Sequence, residues 1–189
     1  MAAVSVEAAE RAFASLALVA GAGAILMVAA RLVATAAAGQ FLALVSRWSL
    51  WLAWVVAATA TGGSLYFSEY AGFTPCTLCW YQRIAMYPLS VVLLVAALRR
   101  DRAVRWYVVP VAAMGAIVST YHYLVEWHPE WETTECSALV PCTVPWFRSF
   151  GFVSLSLMAW CGFAAIIVVL LVPPVPPAAP SREIATDDH

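Results

Sequence analysis

The sequence predicts an all-α integral membrane protein, a four-helix transmembrane bundle with an extra N-terminal transmembrane helix. Three observations carry this. The 189 residues are 63% hydrophobic and 11% charged, with a mean hydropathy of +0.83, whereas soluble domains are about 45–50% apolar and about 25% charged. The apolar residues fall into five runs, each close to the ~20 residues a helix needs to cross the hydrocarbon core. A helix also satisfies its own backbone hydrogen bonds, which lipid cannot do. The net charge is −1, without lysine or a basic run, so the chain offers nucleic acid no electrostatic footprint. Its surroundings are membrane lipid.

The first run covers residues 13–33 and follows a short, mildly acidic start with Glu7, Glu10 and Arg11. A signal peptide needs a positive start, so this segment is expected to be a retained helix, although the Ala-rich residues 34–40 mimic a cleavage region. The other runs cover 48–67, 80–98, 104–124 and 150–172. Pro110 is expected to kink the fourth, because proline removes a backbone donor. These runs divide the chain into an N-terminal extension with the extra helix (1–44), the four-helix membrane domain (45–172) and a Pro-rich, disordered tail (173–189).

Arginine placement predicts the orientation. Arg31, Arg47, Arg99, Arg100, Arg102, Arg105 and Arg182 all fall on one side if five helices span, and that side is the cytoplasm. The opposite side receives the loops 68–79 and 125–149, with Glu69, Glu126, Glu130, Glu132 and Glu135. Four of the five cysteines, Cys76, Cys79, Cys136 and Cys142, lie in or beside these loops, on the side where disulfides persist. The tryptophans of the longer loop, Trp127, Trp131 and Trp146, suit the headgroup level.

Cys76 and Cys79 form a Cys-x-x-Cys pair at the mouth of the third run. Unpaired N–H groups at that helix start favour negative charge. Arg83 follows Cys79 by one turn on the same face, about 6 Å along the axis. Both effects enrich thiolate, the nucleophilic form, and predict a redox site at a membrane surface. A plain disulfide staple, half of a zinc site, or a snorkelling Arg83 are the blander readings. Cys136 and Cys142, five residues apart, can close a disulfide that staples the loop or relays exchange to the first pair. His122 is expected near the depth of Arg83, where the two could hold the carbonyl oxygens of an aromatic electron acceptor. Otherwise His122 is a packed core residue, as Cys161 is expected to be.

The stretch Pro75-Cys76-Thr77-Leu78-Cys79-Trp80-Tyr81-Gln82-Arg83-Ile84 resembles the signature of DsbB-type disulfide bond formation proteins, in particular the BdbC branch. Tyr121-His122-Tyr123-Leu124 and the Cys136–Cys142 spacing fit the same pattern, and the resemblance covers about residues 45–172. It implies a bundle in a bacterial cell membrane that oxidises a DsbA-like thioredoxin-fold partner outside the cytoplasm. Electrons then pass to a membrane quinone, ubiquinone or menaquinone. By resemblance, all four loop cysteines are catalytic. Cys79 lies next to the quinone with Arg83 beside it, and His122 falls at a quinone-binding position. Cys136 takes the mixed disulfide with the partner, and Cys142 resolves towards Cys76. Two departures stand out: Gln82 replaces an acidic residue of many Gram-negative members, and the second pair is more closely spaced. The competing readings are a non-catalytic membrane protein with a stapled outer loop, a four-thiolate zinc site, and the same groups run in the reducing direction.

Overall fold

The computed structural model describes residues 2–33, 35–132, 136 and 140–172. The tail 173–189, with Arg182, and Glu135 lie outside the described residues. Among the described residues, five α-helices follow in chain order: α1 (Ala2–Val33), α2 (Ala36–Leu65), α3 (Thr77–Arg99), α4 (Arg105–Trp127) and α5 (Leu155–Leu171). A π-helical turn, Tyr66–Tyr70, extends α2. No strand occurs among the described residues. The first four helices are long and apolar enough to cross a membrane. The 17 residues of α5 rise about 25 Å, somewhat less than a ~30 Å hydrocarbon core.

The outer surface is that of a multi-pass membrane protein. Leu32, Tyr107 and Ile117 are 80, 75 and 68% exposed, and water would penalise so many apolar side chains facing outward. Inside, Phe163, Leu93, Ile166, Val108, Ala53 and Ala57 join four helices in one core. Gly115 on α4 admits the ring of Phe163 from α5, and a Cβ at that position would overlap the ring.

The helix ends differ from the sequence expectation in three places. α1 includes the acidic start as helix, where Arg11 pairs with Glu7 at 2.6 Å, one turn apart. α2 begins at Ala36, capped by the Thr35 side chain, which accepts from Ala38 N at 3.3 Å. The Ala-rich stretch is therefore helical from Ala36. α5 starts five residues later than the run at 150 suggested, because Phe150 and Gly151 have φ of 55° and 82°. That left-handed pair closes a turn held by reciprocal Ser149–Val153 backbone bonds of 2.9 Å, and a helix cannot continue through it.

Arg102 bonds the Ser46 carbonyl and hydroxyl, and Arg31 Nη1 donates to Leu171 O at 2.9 Å. These contacts gather the arginine-bearing links at one end of the bundle. The cysteine-bearing loops occupy the other.

Candidate functional site

Cys76 is the N-cap of α3. Its Sγ accepts from Cys79 N at 3.3 Å, satisfying one of the donors a helix start leaves unpaired. The two sulfurs are 3.0 Å apart as a dithiol. His122, from α4, puts Nε2 3.6 Å from Cys76 Sγ, while its Nδ1 faces the Gln82 side-chain nitrogen at 2.9 Å. An amide N–H can only donate, so Nδ1 accepts and Nε2 carries the proton towards the sulfur. The Cys76 thiol is accordingly lowered to about 4, first by the hydrogen bond with Cys79 and then, against opposing burial, by His122. The sequence suggested Arg83 as the cation enriching thiolate. The structure also sets the His122 N–H beside Cys76, a neighbour for that sulfur that the sequence did not single out.

Behind His122 stands Glu126, with Oε1 3.9 Å from Nε2. That oxygen accepts from Ser156 Oγ at 2.7 Å, and Arg148 Nη2 donates to the Glu126 carbonyl at 2.8 Å. The sequence reading places Glu126 in the outer loop 125–149. It is instead in the last turn of α4 and only 6% exposed, and Oε2 has no partner among the described residues. Its i,i+4 spacing from His122 was the available signal.

Cys136 and Cys142 are joined as a disulfide. Cys142 is 1% exposed and belongs to one buried cluster with Cys76, Leu78 and Val125, against which Cys79 and Cys136 pack. Both pairs therefore lie together at one end. A set of four thiolates is not formed, because two of the sulfurs are bonded to each other. One smaller donor group with free thiols, Cys76–Cys79–His122, has its ligand atoms within 4.8 Å of one another. Aromatic stacking fixes the loop over this end. Phe67, Phe73 and Trp146 stack in sequence at 5.7 and 4.8 Å, and Trp146 Nε1 donates to Thr74 O at 3.2 Å.

On the far side of the dithiol lies a cavity of about 370 Å³, within the ~300–1,000 Å³ typical of small-molecule sites. Cys79, Gln82, Arg83 and Tyr87 from α3 line it, with apolar residues of α1, α2 and α5 and a roof of Phe67, Phe73 and Trp146. Arg83 donates from Nη2 to Ser64 O at 3.2 Å and lies 5.3 Å from the Trp80 ring centre. His122 does not line this cavity. It lines a much smaller cleft with Cys76, Glu126 and Cys142, and Cys79 lines both spaces. Cys161 is 5% exposed in the interface of α5 with α1.

Fold and site together define a multi-pass helical membrane protein with two adjoining cysteine pairs at one end. The family model described as "Disulfide bond formation protein DsbB" matches residues 46–173, and the chain belongs to that family. A role in disulfide bond formation, as an oxidoreductase, follows. The chain is 39% identical to a probable disulfide formation protein C 2 of Bacillus anthracis, over 68% of this chain and 92% of the relative. It is 43% identical to disulfide bond formation protein C of Bacillus subtilis, over 64% and 88%. It is also 43% identical to a probable disulfide formation protein of Oceanobacillus iheyensis, over 65% and 86%. No solved structure matches the chain.

Proposed function

We propose that this chain is a thiol:quinone oxidoreductase of a bacterial cell membrane, with its cysteine end on the extracytoplasmic face. It oxidises a DsbA-like thioredoxin-fold partner and delivers the electrons to a membrane quinone, ubiquinone or menaquinone. One observation carries the reading: the two sulfurs of one dithiol have different surroundings. Cys76 packs with Cys142, while Cys79 lines the cavity with Arg83.

The residues fit a quinone. The walls are largely apolar, Arg83 engages the protein through one Nη2 bond and retains other N–H donors, and Cys79 lines the same space. When bound, a quinone supplies the sink for two electrons and two protons. Arg83 would hold one of its oxygens, where a cation favours developing negative charge.

The exchange steps belong to the chain. A partner thiolate attacks Cys136 Sγ and breaks the Cys136–Cys142 bond. The partner's second thiolate then displaces Cys136, so the partner leaves as a disulfide and Cys136 and Cys142 remain reduced. Cys142 next attacks Cys76 of an oxidised Cys76–Cys79 pair, freeing Cys79 as thiolate at the cavity wall. Attack of Cys136 on Cys142 restores their bond and releases Cys76, whose low pKa makes it a good leaving group. Reforming the Cys76–Cys79 bond passes two electrons and two protons to the acceptor. The balance is partner dithiol plus quinone to partner disulfide plus quinol.

The test is quinol formation driven by a reduced thioredoxin-fold partner in wild type and Cys79→Ser. The expected loss is at least a hundredfold. Quinol formation by wild type no faster than without the protein would return the chain to a stapled, non-catalytic membrane protein, and unchanged turnover in Cys79→Ser would remove Cys79 from the route. A reduced partner lacking its second cysteine should be trapped on the wild-type chain as a mixed disulfide at Cys136, because it can break the Cys136–Cys142 bond but cannot displace Cys136 afterwards.

A further inference from the structure

The first helix lies outside the residues that match the family, 46–173, yet it walls the cavity. Phe13, Leu16, Ala17, Val19 and Ala20 of α1 all line it. The helix is closely docked. The Phe13 ring fills the space over Gly63 of α2, where a Cβ would come within 2.9 Å of it, and meets Phe67 edge-on at 5.6 Å. About two turns below, Gly21 brings α1 against Cys161 of α5, 3.0 Å from an ideal Cβ to Sγ. Ala14, Ala24 and Met27 are buried along the same helix.

The cavity is longer than an aromatic ring. Its lining on α2 runs from Val55 to Phe67, which spans about 18 Å at 1.5 Å per residue. Cys79 and Arg83 stand towards the Phe67 end, and the length below them, beside α1, is walled by Val55, Val56, Ala60, Val19 and Ala20, with the Thr59 hydroxyl its one polar side chain on α2.

We infer that α1 is the specificity wall of the acceptor site: Leu16, Ala17 and Ala20 pack against the isoprenoid tail of a quinone whose ring sits at Cys79 and Arg83. This rests on the quinone reading above. The helix thereby makes a site that would otherwise open onto lipid into one that selects for a tailed acceptor.

The experiment uses the full chain in detergent or nanodiscs, with reduced thioredoxin-fold partner as donor. KM is measured for a naphthoquinone bearing an isoprenoid tail and for tailless menadione. Ala17→Trp, which fills the cavity, should raise KM for the tailed quinone at least tenfold and change that for menadione less than twofold. Leu16→Ala keeps the test open if the larger residue disturbs folding, with an expected rise of about threefold for the tailed quinone alone. Ile25→Trp, on the 71% exposed face of α1, should change neither. Equal effects on both quinones, or none on either, overturn the assignment of α1. Wild type that reduces neither quinone overturns the oxidase reading itself.

Discussion

Cys76 is the residue on which the proposed chemistry turns, because three separate influences act on one sulfur. It caps α3, it faces the Cys79 thiol, and it lies beside His122 Nε2. Its folded pKa of about 4 lies below the ordinary value of 9.0. Stability contributed by its thiolate is therefore fully present above about pH 9 and is lost as pH falls through about 4. Peptide-resolved alkylation of the reduced protein should follow the same sign. The Cys76 rate should hold from pH 8 to 5 and fall by half near pH 4, and a midpoint near 8–9 would contradict the geometry. Cys79→Ala should move the midpoint upward most and His122→Phe less, following the order of their influence on the thiol. Arg83→Met, by contrast, should leave partner exchange intact and raise KM for quinone about tenfold or more, since it removes a charged hydrogen bond.

The elements show which features a sequence can carry. Five apolar runs and arginine-rich links made the number of helices and the grouping of loops at two ends legible. The starting point of α5 was not, since the run at 150–172 is continuous in hydropathy and only the backbone at Phe150 and Gly151 interrupts it. The partner of His122 was equally hidden. Gln82 and Arg83 are adjacent on α3, about 100° apart around its axis, and only the rotation of that helix against α4 decides which of them meets the imidazole. The facing of the two helices was not readable from sequence. Helix packing itself is testable at Gly115. Gly115→Ala should lower stability by about 1–3 kcal/mol, because the new methyl overlaps the wholly buried Phe163 ring and a packed core resists added volume. Gly23→Ala, where nothing lies within 4 Å, should not lower the melting temperature.

At the scale of the molecule, the bundle places a dithiol as a partition between two environments. One side holds the buried cluster with Cys142, and the other the apolar cavity with Arg83. In the proposed function, such a partition would let thiol exchange and electron delivery share a site without competing for one sulfur. It makes the two halves separable. The most direct measurement is a single turnover with the Cys136→Ser/Cys142→Ser double variant, its Cys76–Cys79 pair reduced and excess reductant removed, mixed with quinone. One equivalent of quinol per protein should form, and the same variant carrying Cys79→Ser should form none. Absence of quinol from the double variant, or its undiminished formation without Cys79, would contradict the account.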